Sequence, residues 1–183
     1  MTEQDPVVLF ERATTRAAVV MSGVTGDQLS GPTPCADWDV QQLIDHIVGG
    51  TDYLLAALAG QPPPHRTGRS VEDYELGLAQ LRTGLRAPGG LERMCMSPLG
   101  FEWQVAHAVA GTFMDALIHT WDLATATGQD ASLDPELVDA CIAMFLPEMP
   151  ERGRASGLVG PAIDVANGAT AQDRLLAAMG RRA

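Results

Sequence analysis

Asp115 and His119 stand four residues apart in the stretch FMDALIHTWDLATATG, which runs from Phe113 to Gly128. A helix completes a turn in roughly 3.6 residues, so side chains at i and i+4 lie one above the other on one face. A carboxylate and an imidazole so placed can grip one divalent metal ion, as the paired histidines of an HExxH helix do. Protein-bound zinc takes three or four ligands, so two residues do not make a site. His46, in DVQQLIDHIVGG, is the candidate third. Two neutral imidazoles and one carboxylate leave a coordination position open, the pattern of a catalytic zinc site and not of a closed structural one.

Spacing alone leaves blander readings standing. His46 on a helix edge also fits a hydrogen-bonded structural histidine, and Asp115 with His119 fits an ordinary helical pair worth a few tenths of a kcal/mol. Burial favours the metal, because an Asp in the apolar run FMDALI is expensive to bury ionised unless paired or coordinated. Asp122, three residues from His119, is the candidate to accept the second ring N–H of that histidine. Asp45 reads as a solvated surface charge. His107 reads as packed or exposed, His65 as solvated, and Trp103 and Trp121 as core. Arg82, Arg86 and Arg93 read as surface salt-bridging residues, with an anionic thiol or substrate as their alternative partner. The sequence has no nucleophile elbow, no Cys beside a His, and no GxGxxG or Walker pattern, so catalytic triads and nucleotide cofactors are not expected.

Elements that would position these residues are well signalled. Asp5-Pro6 opens a first helix whose stripe Val7, Phe10, Ala13, Ala17 and Val20 ends near Gly23. GPTPCADW reads as a loop. Asp39 and Gln42 form a capping box for a second helix from Val40 to about Leu58, with Trp38 placed to staple onto Leu43. Gly49-Gly50 inside that helix costs up to about 1 kcal/mol per residue relative to Ala, which a close approach by another helix or a ligand would explain. Ser70 and Asp73 begin a third helix carrying Val71, Tyr74, Leu78, Leu81 and Leu85. Residues 91–101 read as an extended crossover. A fourth helix is expected from about Glu102 to Thr127, stopping at Gly128. Asp134-Pro135 begins a shorter helix to about Leu146, residues 147–169 read as a long loop, and AQDRLLAAMGR as a short terminal helix. This is an all-α chain, a four-helix bundle with a short extra C-terminal helix, and such bundles build metal sites from facing helices.

With 183 residues, the chain suits a single domain, 1–183. The net charge of -11 argues against nucleic acid, which needs clustered positive charge. There is no basic amphipathic face for a membrane surface and no apolar run of about 20 residues to span one. MTEQDPVV lacks the features of a signal peptide, which predicts a cytoplasmic protein. Cys35, Cys95 and Cys141 are far apart and form no CxxC, so they are expected to be reduced and buried.

TPCADWDVQQLIDHIVGG resembles the TPC-x-x-W-x-V-x-x-L-x-x-H-x-x-G stretch of the DinB/YfiT-like, mycothiol-dependent maleylpyruvate isomerase metal-binding domains. DALIHTWDLATATGQD resembles the D-x-x-x-H-x-W-D-L-A-x-A-T-G stretch of the same group, and AQDRLLAAMGR is similar to the ending of an uncharacterised short subfamily. The resemblance spans nearly the whole chain in order. It implies a DinB/YfiT-like four-helix bundle holding a divalent metal, zinc or alternatively nickel, on His46, Asp115 and His119. It also implies mycothiol as co-substrate and an electrophilic small molecule as its acceptor, in a transferase- or isomerase-type reaction. The general base and the other catalytic residues are not assigned by it. The rival expectation is a non-catalytic metal- or ligand-binding bundle that works through a partner or as a homodimer.

Overall fold

Asp39 starts the helix that carries His46. In the computed structural model, which describes residues 5–155, 157 and 159–182, the Asp39 carboxylate accepts the N–H of Gln42. Gln42 in turn bonds back to the Asp39 N–H, a closed capping box. Helix α1 spans Pro6–Ser22, α2 Val40–Ala59 and α3 Val71–Gly84; a hairpin of β1 (Met94–Met96) and β2 (Glu102–Gln104) leads into α4, Val105–Thr127. Then come α5 (Pro135–Phe145), α6 (Met149–Ala155) and α7 (Ala171–Ala178). Each start expected from Asp5-Pro6, Ser70 and Asp134-Pro135 is a capped helix start.

The described residues gather into two compact units, Met1–Ala131 and Ser132–Ala183. In the first, α1 packs on α4 and α3, while α2 packs on α3 and α4, which closes a four-helix bundle. Its core includes Phe10, Leu43, Leu54, Leu81, Phe113 and Leu123, none more than 1% exposed. Each large apolar side chain so buried stabilises the fold by about 1.5–3 kcal/mol. In the second unit α5 packs on α7, with Leu137, Leu175 and Leu176 buried. The chain is all-α apart from the small hairpin, and among the described residues no helix is long and apolar enough to cross a membrane.

Four local readings need correction. The fourth helix starts at Val105 and not at Glu102, because residues 102–104 pair antiparallel with 94–96. What reverses the chain is the turn Ser97–Gly100, where Gly100 sits at φ 84°, a left-handed conformation that favours glycine. The expected loop 147–169 contains α6, whose flank carries a Glu148–Arg152 ion pair four residues apart. Its surrounding Gly and Pro residues hid a helix of only seven residues. Asp45 is not a solvated charge: its carboxylate accepts the backbone N–H groups of Gly68 and Arg69 and the amide of Gln41, tying the loop before α3 onto α2. Of the cysteines, Cys141 is buried, whereas Cys35 and Cys95 are partly exposed.

The Gly49-Gly50 step is explained in half. A Cβ on Gly50 would lie 3.1 Å from Thr112 Cγ2, so this glycine lets α4 approach α2 closely, while nothing lies within 4 Å of a Cβ on Gly49. On the other side of α2, the Arg69 guanidinium reaches Asp52, and both side chains are nearly buried. Arg69→Met leaves the Asp52 carboxylate without its countercharge and is expected to lower unfolding free energy in urea by about 3–5 kcal/mol. Replacing both partners, as Asp52→Leu with Arg69→Met, is expected to recover most of that loss, since it is the stranded charge that costs.

Candidate metal centre

His46 comes from the middle of α2, and Asp115 and His119 from consecutive turns of α4, the two helices that Gly50 brings together. His46 Nε2 lies 3.0 Å from Asp115 Oδ2 and 3.2 Å from Oδ1, and His119 Nε2 lies 3.4 Å from Asp115 Oδ1. The three candidate ligand atoms all fall within 4.8 Å of one another. Bonds of about 2.1 Å at tetrahedral angles set ligand atoms about 3.4 Å apart, so this spacing suits one small cation with little rearrangement. The side chains of His46 and Asp115 are about a third exposed, at 37% and 33%, while that of His119 is 10% exposed. One flank of the cluster therefore faces solvent and the other is closed.

The closed flank belongs to Asp122. Its carboxylate is fully buried and its Oδ2 accepts from His119 Nδ1 at 2.8 Å, as expected for the residue three positions along the helix. With an acceptor there, the proton of a neutral His119 sits on Nδ1, and the bare lone pair of Nε2 points at the Asp115 carboxylate. Two electron-rich groups face each other, an arrangement that needs positive charge between them. In the metal-free protein a second proton supplies it. Burial opposes charging His119, but the Asp115 charge and hydrogen bonds to Asp115, Asp122 and Cys35 outweigh it and raise the imidazole well above 6.5. Burial likewise opposes ionising Asp115, yet His46 and His119 hold it far below its usual 3.8. A divalent cation placed where that proton sits would meet two ring nitrogens and a carboxylate, a donor set that fits zinc or nickel.

The loop preceding α2 contributes two residues that spacing had assigned elsewhere. Trp38, read as a staple on the helix start, lies over both imidazoles, with ring centroids 4.5 Å from His46 and 5.6 Å from His119. Cys35 brings its Sγ to 3.3 Å from Asp122 Oδ2 and 3.8 Å from His119 Nδ1. Thr33 shapes the loop: its hydroxyl bonds the carbonyls of Cys35 and Trp38 and accepts the Cys35 N–H. The available signal was adjacency, since TPCADW immediately precedes the helix of His46.

Other expected candidates stay outside the cluster. His65 and His107 are exposed. Trp121 is core, but Trp103 is only half-buried and donates its indole N–H to the Tyr53 hydroxyl. Arg86 pairs with Glu11.

Residues 10–124 match the family model described as the mycothiol maleylpyruvate isomerase N-terminal domain. That span includes Cys35, Trp38, His46, Asp115, His119 and Asp122. The chain is 38% identical over 160 residues to an uncharacterised protein of Mycobacterium tuberculosis strain CDC 1551 / Oshkosh, covering 86% of this chain and 81% of the relative. An uncharacterised protein of strain ATCC 25618 / H37Rv matches with the same identity and coverage. No solved structure matches the chain.

The charges of the metal-free cluster carry a signed dependence on pH. His119 holds its proton more tightly folded than unfolded, so its contribution is complete below 6.5 and is lost as pH rises through the raised folded value. Asp115 holds its charge more tightly folded, so its contribution is present above 3.8 and is lost as pH falls through the lowered folded value. Chelator-treated protein is expected to have a higher urea midpoint at about pH 5.5 than at about pH 9, and His119→Gln is expected to flatten that alkaline decline.

Proposed function

The chain belongs to the mycothiol maleylpyruvate isomerase N-terminal domain family, and from that premise we propose that it is a divalent-metal-dependent enzyme using a low-molecular-weight thiol. The thiol of choice is mycothiol, the reaction a transfer to, or isomerisation of, an electrophilic small molecule. His46, Asp115 and His119 hold the metal, zinc or nickel, in this reading. The observation that carries it is the convergence of His46 Nε2, His119 Nε2 and the Asp115 carboxylate beside an exposed flank, with Asp122 buried behind His119.

A bound divalent cation supplies positive charge that lowers the pKa of a coordinated thiol and polarises a carbonyl. The protein's own groups do the rest. Asp122 keeps the His119 proton on Nδ1 and so turns Nε2 toward the centre. Asp115 carries the negative charge that both imidazoles share. Trp38 sets its indole against both imidazoles, tilted to each, and so helps to fix the two rings relative to one another. His46 and Asp115, each about a third exposed, leave the approach for thiol and electrophile.

Elemental analysis of the purified, untagged protein is expected to find about one equivalent of zinc or nickel, lost in both His46→Ala and His119→Ala. The loaded protein is then expected to consume mycothiol with a member of a panel of electrophiles. No metal in the wild type, even after incubation with zinc, sinks the reading. Tightly held metal with no thiol turnover instead favours a binding bundle that is not an enzyme.

A further inference from the structure

Behind His119 lies a polar arrangement, centred on the fully buried Asp122, that the three ligands do not account for. Asp122 Oδ2 accepts two donors at once, the Nδ1–H of His119 at 2.8 Å and the S–H of Cys35 at 3.3 Å. The carboxylate is 0% exposed, so each donor it has matters more than it would in water. Cys35 comes from outside the bundle's helices, on the loop that Thr33 folds and that the Pro32–Asp39 bridge closes just ahead of α2. Its sulfur faces the Nδ1 edge of the imidazole, 3.8 Å from that nitrogen, whereas Asp115 faces Nε2. The thiol thus stands on the wrong side of the ring to share a cation with Nε2.

We infer that Cys35 is a positioning residue: its S–H donates to Asp122, fixes that carboxylate against the Nδ1–H of His119, and so aims Nε2 at the metal. The thiol neither ligates nor attacks. A metal-ligating histidine is as well placed as the acceptor on its other nitrogen, and here that acceptor has its own holder. One loop therefore works on both sides of the centre, with Trp38 tilted against the rings and Cys35 against the anchor behind. In its effect on metal this inference rests on the proposed site, but the hydrogen-bond chain exists without metal and is open to its own test.

Zinc affinity of the full chain is measured by competition with a chromophoric chelator for the wild type, Cys35→Ser, Cys35→Ala, Asp122→Asn and the double variant Cys35→Ala/Asp122→Asn. Cys35→Ala is expected to weaken zinc about tenfold, the low end of what losing an outer partner costs. Cys35→Ser, which keeps a donor, is expected to stay within about twofold, and Cys35→Ala is expected to add nothing in the Asp122→Asn background. Unchanged affinity in Cys35→Ala, or full additivity in the double variant, overturns the inference. A thiolate-to-metal charge-transfer band in the cobalt-loaded protein overturns it too, by making Cys35 a ligand. In chelator-treated protein with nitrogen-15-labelled histidine, the His119 Nδ1–H resonance is expected to be sharp in the wild type and in Cys35→Ser, and broadened by exchange in Cys35→Ala. Identical spectra overturn the inference even if zinc never binds, an outcome that would separately remove the proposed function.

Discussion

The negative charge on Asp115 is what the bundle must accommodate. It sits in the apolar run FMDALI on the longest helix of the described chain, where an unpaired carboxylate would be costly. The fold answers by closing two imidazoles on it, His46 from α2 and His119 from the next turn of α4. That answer requires α2 and α4 to be close at this level. Gly50, opposite Thr112, removes the Cβ that would hold them apart. A mid-helix glycine that costs helical stability thus makes sense as the condition for a shared charge between helices.

The two flanks of the cluster then take different roles. Behind His119 the site is mostly closed: Asp122 is fully buried, the partly exposed Cys35 donates to it, and Thr33 holds the loop that delivers Cys35. In front, His46 and Asp115 keep about a third of their side-chain surface in solvent. A rigid back and an open front are what a centre needs if its charge is to act on something arriving from solution. The contrast with the nearly buried Arg69–Asp52 pair is informative. Arg69 and Asp52 neutralise each other directly, with Asp73 close by, and they tie a loop to a helix. That pair is complete in itself, whereas the His119 Nε2 and Asp115 contact is balanced only when a proton or a cation stands between them.

What could be read from the sequence follows from the range of each signal. Helix starts are local: Asp39 with Gln42, and Ser70 with Asp73, announce themselves within four residues, and each is a closed capping box. Asp115, His119 and Asp122 share one helix, so periodicity alone placed them together. His46 needed the further step that α2 and α4 face each other, which bundle geometry supplied. Beyond these the signals were too short or too distant. The hairpin of residues 94–104 has three-residue strands, below the length at which alternation can be seen, and its second strand runs straight into α4. Helix α6 is masked by its Gly and Pro neighbours. Cys35 and Trp38 lie on a loop with no period at all, and their contacts with His119 span 84 and 81 residues of chain.

Departures from local rules are scattered at random in a badly adapted sequence and gathered in one place in a functional one. Here they gather. A carboxylate in an apolar helical run, a mid-helix glycine at 50, a fully buried second carboxylate and a thiol bonded to it all lie within two or three side chains of His119 or at the α2–α4 crossing beside it. Away from that region the bundle mostly follows the rules, with capped starts to α2 and α3 and a core rich in Leu, Val, Phe and Ala, the nearly buried Arg69–Asp52 pair being the main exception. The bundle would be simpler to fold with apolar residues at 115 and 122, and its helices would still be capped and amphipathic. Stability alone therefore gives no reason for these residues, and the charge they gather around His119 Nε2 is a reason that does.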